Sequence, residues 1–120
     1  MHPTIAYKIL TADQMRALED DRFEGAPIDV ADGYIHLSTA EQLAGTLDAH
    51  FAGREDLFLA AVDLSRAGTA VRWEASRGGA LFPHLYGRLA RALVLTTGPL
   101  RRTSGGAVAL PGDSGGAAQR

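Results

Sequence analysis

The stretch that decides the fold is an apolar run in the middle of the chain, Leu57-Phe58-Leu59-Ala60-Ala61-Val62-Asp63-Leu64. Charged residues, Glu55 and Asp56, precede it, and Ser65 follows it. A run this short and this apolar is typical of a β-strand that is covered on both faces. We therefore expect a central strand here, with the rest of the domain built around it.

Further strands are predicted on both sides of this run, where β-branched and aromatic residues are frequent or apolar and polar residues alternate. They cover residues 5–10, 34–37, 70–75, 92–96 and 107–110. Between them, residues 28–33 and 77–87 contain the aspartate, glycine and proline residues typical of loops, and we expect loops there.

Two helices are predicted from capping residues and apolar spacing. The first runs from Thr11 or Asp13 to about Phe23. The second begins at Ser38-Thr39-Ala40-Glu41, which has the pattern of a capping box, with Ser38 as the N-cap. It places Leu43, Leu47 and Phe51 on one stripe, as expected for a helix with one buried face, and Gly53 is expected to end it. Strands and helices together predict a protein of the α/β (α+β) class.

Length and composition indicate one globular domain. The chain has 120 residues, of which 46% are hydrophobic and 22% charged, which is enough for one core and too little for two. We expect the domain to cover residues 1–111. Glycine is frequent near the end of the chain, so we expect a flexible tail over residues 112–120.

Charge and cysteine content exclude several classes of function. The formal net charge is −2 with no basic run, which argues against binding to duplex nucleic acid or to an anionic membrane. The chain has no cysteine, which excludes disulfides and thiolate catalysis. It has neither a signal-peptide pattern nor an apolar run of the roughly 20 residues needed to span a bilayer, so a cytoplasmic protein is expected.

Two histidines stand out by their neighbours. His36 and His84 each lie two residues from a tyrosine, Tyr34 and Tyr86 respectively. Imidazole can donate, accept or transfer a proton near neutral pH, and tyrosine offers an aromatic face with a polar tip. The pattern favours a site for a ring-bearing molecule in which both histidines face one cleft. The alternative is that the histidines only pack inside the domain.

Other side chains allow similar pairs of interpretations. Glu74 follows Trp73, so desolvation could raise its pKa for acid or base catalysis, or it could simply face solvent. Lys8 could bind an anion or extend to solvent. The predicted helix start at Ser38 and Thr39 would offer free amides to a phosphate, although capping alone explains Ser38 and leaves Thr39 freer.

A metal site and several common catalytic motifs are not expected. His36, His84, Asp32 and Glu74 are widely spaced, and no His-x-His or His-x-x-x-His pair occurs. The chain also lacks the Gly-x-Ser-x-Gly elbow of hydrolases, the P-loop and the Gly-x-Gly-x-x-Gly pattern.

Taken together and in order, five motifs resemble the DUF952 family over about residues 5–111. They are Ile5-x-Tyr7-Lys8-Ile9, Asp29-x-x-Asp32-Gly33-Tyr34-Ile35-His36-Leu37-Ser38-Thr39-x-x-Gln42, Val62-Asp63, Trp73-Glu74 and Phe82-Pro83-His84-Leu85-Tyr86-Gly87. The resemblance implies a curved, split mixed sheet with flanking helices, similar to the ADP-ribosyltransferase superfamily, whose members hold NAD in a cleft.

The resemblance also implies a function and a set of site residues. It implies an NAD-related enzyme, with NAD as a substrate, that acts on an N-glycosidic or phosphoester bond. Of the residues that match, His36 corresponds to a histidine at a strand end, and Glu74 and His84 compete for the late catalytic position. The implied catalytic residues are His36, Glu74 and His84, and the implied substrate-binding residues are Lys8, Tyr34, Ser38, Thr39, Trp73 and Tyr86.

Two alternatives belong to other functional classes. The first is a non-catalytic module that stacks a ring or nucleotide-like ligand between Tyr34, Trp73 and Tyr86, within a homodimer or beside a partner enzyme. The second is a purely structural domain. Both the enzyme and the binding module would bind a small nucleotide-like molecule, and neither is expected to use a metal.

Overall fold

The computed structural model describes residues 2–110, so the tail predicted over residues 112–120 lies outside the described part. The fold is α+β, as predicted. The strands are β1 (Ile5–Leu10), β2 (Ile35–His36), β3 (Phe58–Asp63), β4 (Val71–Ala75), β5 (Leu81–Leu85), β6 (Val94–Pro99), β7 (Arg101–Arg102) and β8 (Val108–Ala109). The helices are α1 (Ala12–Glu19), α2 (Pro27–Asp32), α3 (Leu43–His50) and α4 (Leu64–Ala67).

The strands form two three-stranded sheets and a small hairpin. The first sheet has the order β1-β3-β6, the second β2-β5-β4, and β7 pairs with β8. A bridge between Tyr7 and Ser38 joins the first two sheets. The expected split is present, but the mixed sheet is wrong: within residues 2–110 every strand pair is antiparallel. A parallel pair needs a crossover of about a dozen residues or more, and the turn over residues 76–80 between β4 and β5 is too short for one.

The prediction of a central strand in the apolar run is confirmed by β3, which lies between β1 and β6. Its side chains alternate between two buried clusters. Ala60 and Val62 pack with residues of α1, and Leu59 and Ala61 pack with residues of α3. Because both faces are covered, a continuous apolar run rather than an alternating one is what this strand requires.

The loop predicted over residues 77–87 is wrong, because it contains β5, the middle strand of the second sheet. Sequence analysis missed this strand because it contains Pro83, and proline lacks the N–H that a residue of a middle strand normally donates. The carbonyl of Pro83 accepts a hydrogen bond from the Leu37 amide at 3.2 Å, so the Pro83 nitrogen faces the same side. β2 ends at His36, so the missing donor lies just beyond the paired residues of β2 and β5.

The loop predicted over residues 28–33 is also wrong, because residues Pro27–Asp32 form α2. The sequence contains signals for the start and the end of this helix. Pro27 stands at the first helical position, where its missing N–H costs nothing. The Asp29 carboxylate accepts the Ala26 amide at 2.8 Å, and Gly33, with φ of 87°, ends the helix.

The N-cap before α3 is Thr39 and not Ser38. The Thr39 hydroxyl accepts the Gln42 amide at 3.3 Å, and the Gln42 side chain accepts the Thr39 amide at 3.0 Å. Ser38 cannot serve as the cap because its backbone exchanges hydrogen bonds with Tyr7, at 2.9 and 2.7 Å. A 3₁₀ turn, Ala40–Gln42, follows the cap and leads into α3, which ends at His50, before Gly53.

The first helix is shorter than predicted, since α1 ends at Glu19 rather than near Phe23. Asp21, with φ of 57°, turns the chain. Its carboxylate accepts hydrogen bonds from the Arg88 side chain and the Arg91 amide, both at 2.9 Å. These long-range contacts offset the cost of a left-handed conformation, and sequence spacing does not reveal them.

Replacing Thr39 with alanine tests the corrected cap. We expect Thr39→Ala to lower the free energy of unfolding by about 1 kcal/mol, the usual cost of losing an N-cap. Glu41→Ala is the matched control. It should stay within about 0.5 kcal/mol, because Glu41 is exposed. Urea unfolding measures the free energy of unfolding of both variants. A larger loss of stability in Glu41→Ala than in Thr39→Ala would contradict Thr39 as the N-cap and support the capping box predicted from Ser38 to Glu41.

Of the helices within residues 2–110, none combines the length and the apolar character that crossing a bilayer requires.

Candidate functional site

A cavity of about 380 Å³ lies beside the bridge that joins the two sheets. Its walls come from β1, β2 and β5, from α2, and from the two ends of neighbouring helices, the start of α1 and the end of α3. The polar side chains that the sequence singled out at this wall are Lys8, His36, Ser38 and His84. Four of the nine predicted site residues therefore border one cavity, although they are far apart in the sequence.

The prediction that His36 and His84 face one cleft is confirmed, because both border this cavity. They are directly paired between β2 and β5, and their ring centroids are 5.6 Å apart. Tyr34 lies against both rings, with centroid distances of 4.5 Å to His36 and 4.1 Å to His84. Because three aromatic rings contact one another, the orientations of the two imidazoles are constrained by packing as well as by hydrogen bonds.

His36 is held by Asp29, a residue that sequence analysis did not select for the site. Asp29 is 2% exposed, and its carboxylate accepts four hydrogen bonds. Two come from His36, through Nδ1 at 2.7 Å and the backbone amide at 3.0 Å. The others come from Lys8 Nζ and the Ala26 amide, each at 2.8 Å. A carboxylate so fully used as an acceptor is stable in its ionised form.

Charge pairing explains the titration of Asp29 and Lys8. Burial by itself raises the pKa of Asp29, but the Lys8 ammonium and the hydrogen bonds from Lys8 and His36 outweigh it, and the pKa is lowered. Burial lowers the pKa of Lys8, and Asp29 offsets part of that effect. The expectation that Lys8 extends to solvent is wrong, because the residue is 5% exposed. Its ammonium is bound to Asp29 and to the His36 carbonyl at 3.2 Å. That Lys8 also binds an anion stays a prediction.

The second nitrogen of His36 also contacts a carboxylate. Its Nε2 lies 3.0 Å from Oδ2 of Asp32, at the end of α2. Ionised carboxylates only accept hydrogen bonds. A His36 ring with protons on both nitrogens therefore satisfies both Asp29 and Asp32, and the site accommodates a positively charged imidazole at this position.

Glu74 holds His84 through Nδ1, as Asp29 holds His36. Oε1 of Glu74 lies 2.7 Å from His84 Nδ1, and it accepts the Tyr86 hydroxyl at 2.8 Å. These two hydrogen bonds lower the pKa of Glu74. The raised pKa expected for Glu74 is therefore wrong, because hydrogen bonds to the charged form outweigh desolvation beside Trp73. Glu74 does not border the cavity, so it acts on a ligand only through His84.

One nitrogen of His84 is left for a ligand. The ring is 3% exposed and borders the cavity. The Glu74 carboxylate accepts a hydrogen bond from the N–H at Nδ1. In the neutral ring Nε2 therefore carries no proton and has a free lone pair. Among residues 2–110, Nε2 of His84 has no hydrogen-bond partner. A ring nitrogen without a protein partner, in a side chain that borders a cavity, is a common mark of a binding position.

Trp73 does not belong to the site. It lies on the opposite face of β4 from Glu74, and its ring stacks on His2 with centroids 4.1 Å apart and an angle of 7°. Tyr34 and Tyr86 are 5.2 Å apart and contact each other directly. No ring can be inserted between them at this distance. The stacking of a guest ring between Tyr34, Trp73 and Tyr86 would require these side chains to move apart, and it stays a prediction.

Two amides at the helix start are not free for a phosphate. The Thr39 and Gln42 amides are used in the cap described above, and Thr39 does not border the cavity. Ser38 does border it, and its hydroxyl lies 3.0 Å from the Thr46 hydroxyl. Of the two residues, only Ser38 is placed to contact a ligand in this cavity.

Arg77 is a site residue that sequence analysis missed. It borders the cavity, donates a hydrogen bond to Thr46 at 3.3 Å and lies over the Phe82 ring at 5.0 Å. A side chain at Gly45 would come within 2.9 Å of the Arg77 guanidinium, so the glycine in α3 gives it room. Nothing in the sequence near Arg77 indicates this contact, because α3 lies far away along the chain.

Charge in the cavity wall is one-sided. Lys8 and Arg77 border it together with three histidines, and no aspartate or glutamate borders it within the described part of the chain. No group of three or more histidine, aspartate or glutamate side chains in residues 2–110 is arranged to hold a metal ion. The expectation of a site without metal stays a prediction.

Comparisons with known proteins agree with the motifs. The chain is similar to protein CC0527 from Caulobacter crescentus, whose X-ray crystal structure is 43% identical, with a TM-score of 0.79 over 92% of this chain and 97% of that one. The solution NMR structure of CC0527 is 42% identical, with a TM-score of 0.75 over 93% and 97%. No curated protein matches. The model of the family described as "Protein of unknown function (DUF952)" matches residues 9–97, and the chain belongs to that family.

Proposed function

We propose that this chain is a cytoplasmic enzyme of the ADP-ribosyltransferase-like superfamily, which binds NAD or a related nucleotide in the cavity and acts on an N-glycosidic or phosphoester bond. The observation behind the proposal is that His84, whose Nε2 has no hydrogen-bond partner within residues 2–110, borders a cavity lined by Lys8 and Arg77. A volume of about 380 Å³ lies in the range of small-molecule sites.

The charges favour a ligand that is anionic, such as a phosphate or pyrophosphate. Asp29 compensates Lys8, so Lys8 adds little net attraction. Arg77 has no carboxylate partner among residues 2–110, and its guanidinium can form two parallel hydrogen bonds with a phosphate. Since no carboxylate borders the cavity in the described residues, nothing there repels such an anion.

The geometry assigns different roles to the candidate catalytic residues. His84 is placed to take a proton from an acceptor hydroxyl or from water, and Glu74 is a positioning residue that fixes the tautomer of His84. His36 contacts the anionic part of the ligand. Because Glu74 does not border the cavity, it cannot stabilise positive charge on a ribose directly, and the arrangement favours attack at a phosphoester over glycosidic cleavage.

A non-catalytic module that binds a nucleotide beside a partner enzyme is the second candidate. The observation in its favour is the same lack of a carboxylate at the cavity wall in the described residues, because cleavage of nicotinamide from ribose leaves positive charge on the sugar. Chromatography of the products after incubation with NAD separates the two, because it detects released nicotinamide and the mononucleotides that phosphoester cleavage gives. Either product supports the enzyme, and binding of NAD without any chemical change supports the module.

Calorimetric titration with NAD, ADP-ribose and nicotinamide tests the proposal. We expect NAD and ADP-ribose to bind and nicotinamide alone to bind much more weakly. Arg77→Met should weaken ADP-ribose binding about 10- to 100-fold, the usual value of a hydrogen bond to a charged group. Arg101→Met, which removes an exposed arginine outside the cavity, is the control and should leave affinity unchanged. If none of the three ligands binds at millimolar concentration, the NAD assignment is wrong.

A further inference from the structure

We propose that His36 and His84 form an acid–base pair that hydrolyses a 2′,3′-cyclic phosphodiester of a ribonucleotide. The inference rests on the proposed function in one respect, namely that the cavity accepts a nucleotide-like ligand. It goes beyond that function because it names a bond, a nucleophile and a reaction that consumes no NAD.

The first step of the argument is that His84 is a base. Its Nδ1 proton is bound to Glu74 at 2.7 Å, so the remaining nitrogen of the neutral ring, Nε2, is an acceptor. The ring is almost completely buried and borders the cavity, and Nε2 has no partner among residues 2–110. A water molecule or hydroxyl group of a ligand is the donor that this nitrogen lacks.

The second step is that His36 is an acid. Its two nitrogens contact the carboxylates of Asp29 and Asp32, at 2.7 and 3.0 Å, so both are donors. Asp29 is buried and saturated, whereas the Asp32 side chain is 43% exposed at the end of α2. An anionic phosphate oxygen can therefore take the place of the Asp32 carboxylate on Nε2. Two imidazoles with opposite roles at adjacent positions are the arrangement that acid–base catalysis needs.

The third step is geometry. His36 and His84 are opposite each other on β2 and β5, with ring centroids 5.6 Å apart, and Tyr34 packs on both rings. In-line displacement at phosphorus places the attacking and leaving oxygens on opposite sides, so it needs a base and an acid that flank one phosphate. Rings already fixed by packing and carboxylates lose little freedom when the ligand binds.

The cavity favours a single nucleotide over a polynucleotide. Its volume is about 380 Å³, and the Ala26–Ile28 segment and the end of α3 border it. The chain also lacks a basic run that could follow a nucleic-acid backbone. A cyclic mononucleotide contains the phosphodiester that the pair requires and is small enough for this volume.

The reaction balances without a further reactant. The oxygen of water attacks phosphorus while His84 Nε2 takes one of its protons. A new P–O bond forms, and the bond from phosphorus to one ribose oxygen breaks. His36 Nε2 donates its proton to that oxygen, and the product is a ribonucleoside monophosphate. His84 then has one proton more and His36 one fewer, and exchange with solvent restores both.

The test uses the full chain and adenosine 2′,3′-cyclic monophosphate, with the monophosphate product followed by ³¹P NMR. We expect His84→Asn and His36→Asn each to lower kcat/KM about 10²- to 10⁴-fold. Asparagine keeps a donor near the Nδ1 position, so the contact to Glu74 or Asp29 can persist. His2→Asn, on the opposite face of the second sheet, should leave kcat/KM unchanged.

A second variant keeps the test decisive if His84→Asn does not fold. Glu74→Gln leaves the ring in place and removes the charge that fixes its tautomer. We expect it to lower kcat about tenfold with KM unchanged, because Glu74 does not border the cavity.

The outcomes separate this inference from the proposed function. Binding of the cyclic nucleotide without hydrolysis, or hydrolysis that survives both histidine replacements, overturns the acid–base pair and leaves the nucleotide site in place. Failure of both NAD and the cyclic nucleotide to bind overturns the two proposals together. Hydrolysis of the cyclic nucleotide without binding of NAD supports the pair and refutes the NAD assignment.

Discussion

Asp29→Asn is expected to destabilise the protein by about 3–5 kcal/mol, the usual cost of removing one partner from a buried ion pair. The amide keeps the shape of the side chain but leaves the Lys8 ammonium buried without an opposite charge. His36 loses the anionic acceptor of its Nδ1 at the same time. A domain of this size has about 5–15 kcal/mol of stability in total. The urea concentration at the midpoint of unfolding should therefore be much lower than in the wild-type protein.

Two further variants distinguish loss of the charge pair from a general effect of replacing a residue of α2. Asp32→Asn removes the other carboxylate that contacts His36, from a half-exposed position, and should cost less than about 1 kcal/mol. Adding Lys8→Met to Asp29→Asn removes the unpaired charge and should recover more than half of the lost stability. Equal losses in Asp29→Asn and Asp32→Asn would show that the buried pair is not what stabilises this region.

The same carboxylate makes stability depend on pH. Burial raises the pKa of Asp29, but Lys8 and His36 together lower it below its usual range. A group with a lowered folded pKa contributes its full stability above its unfolded pKa, about 4, and loses it as the pH falls through the folded value. The difference in unfolding free energy between the wild-type protein and Asp29→Asn should therefore shrink in urea titrations below about pH 4.

Gly25→Ala is expected to cost about 2–4 kcal/mol, the second largest effect. Gly25 has φ of +116°, which L-residues rarely adopt. A Cβ there would lie 3.0 Å from Cβ of Asp29 and 3.3 Å from Cδ1 of Ile35. Backbone strain and overpacking therefore add. The clash also displaces the residue that holds His36, so affinity for ADP-ribose should fall in calorimetry.

Gly33→Ala is the matched control for Gly25→Ala. Gly33 also has a positive φ, +87°, but a Cβ there meets nothing within 4 Å. Only the left-handed backbone is strained, at about 1–2 kcal/mol, and the ligand affinity should stay unchanged. If the two variants lost equal stability and affinity, the contacts of Gly25 with α2 and β2 would have no role.

The parts of the fold that sequence analysis predicted correctly have signals in neighbouring residues. The apolar run of β3 shows that both its faces are covered, and the spacing of Leu43, Leu47 and Phe51 shows the buried stripe of α3. The shared tyrosine neighbours of His36 and His84 predicted a common cleft because alternation along a strand puts such side chains on one face.

The parts that were missed depend on contacts between distant residues. Pro83 lies in a middle strand at the point where β2 ends, and the burial of Asp29 depends on Lys8 from β1. Arg77 reaches the cavity beside Gly45 of α3, which leaves space for its guanidinium. The pKa of Glu74 is lowered rather than raised because of its hydrogen bond to His84 on the neighbouring strand, which is also a contact between residues that are not adjacent in the sequence.

The order of strands in the first sheet affects how the protein folds during synthesis. β1 pairs with β3 and not with the next strand in the chain, and Ile5 is opposite Asp63. At about 5–20 residues per second, the ribosome makes β3 only seconds after β1. During that interval β1 lacks its partner strand β3, so a nascent chain that stalls before β3 should be exposed to chaperones and to aggregation.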